Sequence, residues 1–166
     1  MHSSAHYRQL LARLPQIAVA ADQFEVLYSA QDFKRRILAL IASATRRIYL
    51  VALYLQDDEA GREILSALYA AKQRNPALDI KLFVDFHRAQ RGLIGKGKQG
   101  GNHLMYQAMA AEQEHQIEIY GVPVKGRELL GVLHLKGFIF DDVVLYSGAS
   151  LNDIYLHQQD RYRFDR

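Results

Sequence analysis

The sequence contains no cysteine. That excludes disulfides and any zinc site built on thiolates, and it suits a reducing compartment. No apolar run approaches the roughly 20 residues that a helix needs to cross a bilayer, and the N-terminus lacks the apolar core of a signal peptide. The expectation is a cytoplasmic protein that meets a membrane only from its surface. Tandem repeats and low-complexity segments are also missing.

What is present has the composition of a soluble globular domain. The 166 residues suffice for one domain with a real core, and hydrophobic residues at 49% and charged residues at 23% are ordinary values. The formal charge of +3, with a pI near 9.1, favours anionic partners such as phospholipid headgroups, nucleotides or RNA without choosing among them.

Residues 1–20 hold Tyr7, Leu10, Leu11, Leu14 and Ile17 at helical spacing, with Arg8 and Arg13 elsewhere on the turn and Pro15 as an interruption. A short amphipathic helical segment, 1–22, is therefore set apart from a main domain at 23–166. Its apolar stripe is expected to dock on the domain's own core, with a membrane surface as the functional alternative. A brief strand is expected at 24–28. The run Ser29-Ala-Gln-Asp32 then resembles a capping box opening a helix with Phe33, Ile37, Leu40, Ile41 and Ala44 on one face, closed by Arg46 and Arg47. Residues 48–55 read as a strand covered on both faces. Asp57, Asp58 and Glu59 open a helix that buries Ile64, Leu65, Leu68 and Ala71 and stops at Asn75-Pro76. A strand at 78–85 completes a β-α-β-α-β order, which predicts an α/β fold: a sheet flanked by helices on both faces.

The loop at 86–101 places five cationic or potentially cationic residues among five glycines. Glycines let backbone amides approach an anion, and His87, Arg88 and Arg91 would supply charge to a phosphate or headgroup. Lys96 and Lys98 read instead as part of a solvated loop. A helix at 102–114, with His103, Met105, Tyr106 and Met109 around it, and a short strand at 117–120 follow.

Near the C-terminus the chain reads Gly131-Val-Leu-His134-Leu-Lys136-Gly-Phe-Ile-Phe-Asp141-Asp-Val-Val-Leu-Tyr-Ser-Gly148-Ala-Ser150-Leu-Asn152. Two apolar runs around an Asp-Asp turn predict a β-hairpin. Strand alternation puts His134 and Lys136 on one side, one pleat apart. That pair suits phosphoryl transfer without a metal or cofactor: imidazole attacks phosphorus, and the ammonium holds the negative oxygens. Asp141, Ser150 and Asn152 add a carboxylate and neutral hydrogen-bonding groups. Without the rest of the string, such a pair is more often a sheet histidine and an edge-strand lysine.

The whole string, His-x-Lys-x4-Asp followed by Gly and Ser-x-Asn, resembles the signature of the phospholipase D superfamily. The runs Val51-Ala-Leu-Tyr-Leu55, Val84-Asp-Phe-His-Arg-Ala-Gln-Arg-Gly92, Tyr120-Gly-Val-Pro123, Leu130-Gly-Val-Leu-His134 and Tyr146-Ser-Gly-Ala-Ser-Leu-Asn-Asp153, with Tyr155-Leu-His157, are similar to those of the bacterial phosphatidylserine synthases, the CDP-diacylglycerol:serine O-phosphatidyltransferases. The resemblance runs from about Leu10 to the last residue. Two departures stand. Ser150-x-Asn152 sits one residue later than in the superfamily pattern, with Ala149 where a glycine would align, and only the first of the family's two signatures is present.

The resemblance implies a phospholipase D-like domain with a mixed β-sheet at 23–166, and a chain cut before the second signature. It implies a two-step reaction at a peripheral inner-membrane site. His134 attacks the phosphate of CDP-diacylglycerol, CMP leaves, and L-serine intercepts the phosphatidyl-histidine. Lys136 holds the phosphoryl oxygens, Ser150, Asn152, His87, Arg88 and Arg91 bind substrate or phosphate, and Asp141 gives orienting and electrostatic support. A second half of the chain, or a homodimer partner, would supply the general acid. The alternative is a phosphodiesterase or nuclease of the same superfamily acting as a homodimer. A third reading is a non-catalytic module that binds lipid headgroups or ribosomal RNA through the loop at 88–98. Association with an anionic membrane surface, or with the ribosome, fits alongside catalysis.

Overall fold

The computed structural model describes residues 4–90, 100–124 and 132–156. In chain order they form α1 (Ser4–Leu11), a 3-10 turn (Ala21–Gln23), α2 (Ala30–Ser43), β1 (Arg47–Ala52), α3 (Glu59–Arg74), β2 (Asp79–Asp85), α4 (Phe86–Ala89), α5 (Asn102–Ala111), β3 (Glu118–Val122), β4 (Gly137–Phe140), β5 (Val143–Tyr146) and α6 (Asp153–Leu156). The strands make one mixed sheet in the order β3-β2-β1-β4-β5. β1–β2 and β2–β3 run parallel, whereas β4 is antiparallel to both β1 and β5.

The local chemistry of the helices matches the sequence pattern. Ser29 caps α2, its Oγ accepting the Asp32 N–H at 3.0 Å and donating to the Asp32 carboxylate at 2.7 Å. Asp58 caps α3 by accepting the Gly61 N–H, and α3 ends at Arg74 with Asn75 as its C-cap, just before Pro76. Phe33, Ile37, Leu40 and Ile41 of α2 and Ile64, Leu65 and Leu68 of α3 are buried against Ile48, Leu50, Ile80, Leu82, Phe138 and Phe140 of the sheet. Each such side chain contributes about 1.5–3 kcal/mol of transfer free energy.

The alternating side chains of the other sheet face are half-buried at Tyr49, Val51, Lys81, Phe83 and Ile139 and exposed at Tyr120, Val144 and Tyr146. Phe83 stacks on Tyr120 there, with ring centroids 5.2 Å apart. The helix cover expected on both faces is thus seen on one among the described residues. Both crossovers, β1 to β2 and β2 to β3, step in the same direction, and right-handed connections then place α3 and α5 on the same side.

Three expectations need correction. Residues 24–28 form no strand: they run from the 3-10 turn into the Ser29 cap of α2 and pair with none of the five strands. Arg46 and Arg47 do not close α2, which ends at Ser43; Arg46 precedes β1 and Arg47 opens it, and their side chains bind the Asp142 carboxylate and the Asp141 carbonyl of the hairpin. The apolar stripe of the first helix does not dock on the core: α1 buries no residue, and Tyr7, Leu10, Leu11, Leu14 and Ile17 are all exposed. Among the described residues no helix is long and apolar enough to cross a membrane.

Candidate active site

The hairpin arrives as expected, with the Asp141-Asp142 turn between β4 and β5, but β4 begins only at Gly137. His134 and Lys136 therefore precede the strand. β1 stops at Ala52 and the chain bends to Leu55, which bridges to Leu151, so residues 132–136 have no ladder partner in β1. The pairing of the two side chains survives. Lys136 Nζ lies 3.5 Å from His134 Nε2 and donates to the His134 carbonyl at 3.3 Å. The histidine is exposed, while the lysine is only 5% exposed, so the ammonium is held from below against a ring that faces solvent.

A buried carboxylate fixes this segment. Asp85, the last residue of β2, accepts the Leu133 N–H at 2.9 Å and the Arg88 N–H at 2.8 Å. It thereby caps α4, whose four residues include the predicted site residues His87 and Arg88. His87 is exposed and packs edge-on to Phe86. Arg88 is half-buried, and its Nε is buried without a hydrogen-bond partner among the described residues. Burial raises the pKa of the nearby Tyr54 phenol, and the charge of Arg88 opposes that rise. Arg91, Lys96, Lys98 and His157 lie outside the described residues.

Leu151 bridges to Leu55, which brings Ser150 and Asn152 to the sheet end at which His134 and Lys136 stand. Asn152 is buried and caps α6, its Oδ1 accepting the Tyr155 N–H at 3.1 Å. Tyr106, from α5, secures the same corner: its hydroxyl accepts the Leu55 N–H at 2.9 Å and donates to the Leu55 carbonyl at 2.7 Å.

Asp141 does not join this group. The four residues of β4, about 13 Å of extended chain, separate it from the histidine end. Its φ is 52°, in the left-handed region that aspartate tolerates. Its carboxylate accepts the N–H groups of Thr45, Arg46 and Arg47 and the Thr45 hydroxyl, which hold its pKa well below the usual range. The expected electrostatic support is thus a clamp between the α2–β1 turn and the hairpin. Among the residues that hold the site, Asp85 and Tyr106 were not singled out from the sequence. An aspartate closing an apolar strand was the available signal for the first; nothing local marked the second.

With this geometry in view, residues 37–153 match the family described as cardiolipin synthase, PLD-like domain. The chain belongs to this phospholipase D-like family. The domain is 53% identical over 161 residues to the CDP-diacylglycerol–serine O-phosphatidyltransferase of Escherichia coli, a match covering 96% of this chain and 36% of that one. Against the enzyme of the same name from Haemophilus influenzae it is 50% identical over 163 residues, covering 95% of this chain and 35% of the relative. The crystal structure of phosphatidylserine synthase from Haemophilus influenzae superposes with a TM-score of 0.86 at 47% identity, over 96% of this chain and 35% of that one. The phospholipase D-like chain thus spans about a third of the length of the curated relatives it matches.

Proposed function

We propose that this phospholipase D-like domain carries the nucleophile of a CDP-diacylglycerol:serine O-phosphatidyltransferase. The observation that carries the reading is the 3.5 Å approach of Lys136 Nζ to His134 Nε2, in a chain similar along nearly its whole length to enzymes of that name. With its proton on Nδ1, the ring turns the Nε2 lone pair toward the ammonium, and a phosphate at that point meets both groups.

In the first step Nε2 bonds to the phosphorus that bears diacylglycerol. The bond from that phosphorus to the bridging oxygen breaks, and CMP leaves with the oxygen and its electron pair. Lys136 offsets the charge that spreads over the non-bridging oxygens. In the second step the hydroxyl oxygen of L-serine bonds to phosphorus as the nitrogen–phosphorus bond breaks, giving phosphatidylserine. A general acid protonates departing CMP and then takes the serine proton. A second signature, from a further phospholipase D-like half or from another copy of this chain, would provide it.

Ser150, the Asn152 amide nitrogen, His87, Arg88 and Arg91 are proposed to hold phosphate and substrate oxygens. The exposed apolar residues of α1 beside Arg8 support contact with an anionic membrane surface, at the cytoplasmic side of an inner membrane. Ribosome association rests on the net positive charge alone.

Intact-protein mass spectrometry after mixing with CDP-diacylglycerol in detergent micelles tests the reading, in this chain and in one carrying both signatures. A phosphatidyl adduct that disappears in His134→Ala is expected. Absence of the adduct from both chains would overturn the transferase reading and bring the phosphodiesterase forward.

A further inference from the structure

Asp85 is 1% exposed and makes no ion pair among the described residues. Burying a carboxylate in this way is costly unless its oxygens are occupied. Both are: Oδ1 accepts the Arg88 N–H at 2.8 Å and Oδ2 accepts the Leu133 N–H at 2.9 Å. Its own N–H donates to the Leu53 carbonyl at 3.1 Å, just beyond β1. The segments of Leu53 and Leu133 therefore meet at this one residue, the first through its backbone and the second through its carboxylate, beside the local turn that carries Arg88. Leu133 immediately precedes His134, and Arg88 carries the buried Nε that has no partner among the described residues.

We propose that Asp85 is a positioning residue that sets the spacing between His134 and Arg88. Residues 132–136 have no ladder partner in β1, so the Leu133 N–H bond to Asp85 takes the place of strand pairing at the step before the nucleophile. The same carboxylate orients the first turn of α4, from which Arg88 projects. A phosphate attacked by His134 and held by Arg88 would be read across a gap fixed by the two oxygens of one side chain. The inference rests on the roles given to His134 and Arg88 above.

The chemistry requires a carboxylate rather than any polar group. An asparagine has one acceptor oxygen, and its amide nitrogen would point a donor at whichever N–H the oxygen does not serve. Glutamate keeps both acceptors but moves them by one methylene. Asp85→Asn should therefore break one arm, Asp85→Ala both, and Asp85→Glu should restore part of the geometry.

Two measurements test this. The first, amide hydrogen exchange in this chain, does not depend on the reaction. Asp85→Asn is expected to speed exchange at Leu133 or Arg88 about tenfold or more, and Asp85→Ala at both, while the core amides of α2 and α3 keep their protection. Unchanged exchange at both sites would overturn the proposal. So would loss of protection throughout α2 and α3 in all three variants, since Asp85 would then be a determinant of folding.

The second is the rate of adduct formation at His134 in whichever chain, this one or the longer one, forms it. Asp85→Asn is expected to slow it about 100-fold with half-saturation changed only a few-fold, because a shift on the order of 1 Å costs that much. In an Arg88→Ala background the same substitution should cost much less, and Asp85→Glu should recover part of the rate. Losses that simply multiply, or an unaffected rate, would overturn the proposal. If the unsubstituted chains form no adduct, the transferase reading fails, and hydrogen exchange still decides whether Asp85 joins the two segments.

Discussion

Asp58 and Asp153 cap each other's helices. Asp58 accepts the Asp153 N–H at 3.0 Å along with the Gly61 N–H, and Asp153 accepts the Ala60 N–H at 2.7 Å. Two helix N-termini thus share two carboxylates where α3 meets α6. Burial pushes Asp58 up to about 6, against the backbone bonds that lower it, with Asp153 and Asp57 adding repulsion.

A raised carboxylate pKa means that the folded chain holds the proton more tightly than the unfolded one. The stability from that difference is complete below about pH 4 and is lost as pH rises through 6. Comparing thermal unfolding of the native chain and Asp58→Asn between pH 4 and 7 isolates it. The native chain should lose about 1 kcal/mol more across this window, after discounting for solvent screening at a half-buried group. Parallel curves would remove Asp58 as the source.

Asp141 has the opposite sign. Its depressed pKa contributes stability above the ordinary carboxylate range, lost only in strong acid. Asp141→Ala removes every carboxylate bond to residues 45–47, sparing the backbone bonds to Arg47, and leaves a β-carbon residue at φ 52°, so Tm should fall by several degrees at neutral pH. Asp141→Asn should lose less, because asparagine tolerates that backbone and keeps one acceptor. The adduct rate per folded molecule should stay within a few-fold; a large loss would return Asp141 to the chemistry.

Gly61 sits where α3 passes over the residue after Leu55. A β-carbon there would come within 1.9 Å of the Gln56 carbonyl oxygen, which is backbone and cannot swing away. Gly61→Ala should destabilise by about 1–3 kcal/mol, the cost of overpacking, despite alanine's better helix propensity. Chemical denaturation measures it directly. A neutral or stabilised variant would contradict this close approach.

Lys136→Met keeps the buried stem and removes the ammonium. Adduct formation should slow about 100- to 1,000-fold, the usual cost of losing one donor at a developing anion. The melting curve should move little. Arginine should not restore the rate, because its planar fork is too large for a site with 5% exposure.

The sequence reading was right where apolar periodicity and capping agree, as at Ser29, Asp58 and the hairpin turn. It also set His134 beside Lys136, since two residues in extended chain share a side with or without a ladder. It failed where an outcome depends on distant competition. Residues 24–28 have the composition of a strand but pair with none in the sheet, and Arg46 and Arg47 answer to aspartates rather than to a helix end. Asp141 belonged to the motif in sequence but lies at the other end of its strand. The bridging role of Asp85 was hidden because its two partners, Arg88 and Leu133, come together only in the fold.

The Asp141 clamp also bears on how the chain is made. Its partner Thr45 is synthesised 96 residues earlier. Until the hairpin emerges, β1 has β2 on one side and a bare edge on the other, with Ile48 and Leu50 waiting for Phe138 and Phe140. Any nascent chain stopped before residue 141 presents that edge to its neighbours as a template for mispairing. The turn that lies farthest from the histidine end is thus the one whose arrival ends the exposure.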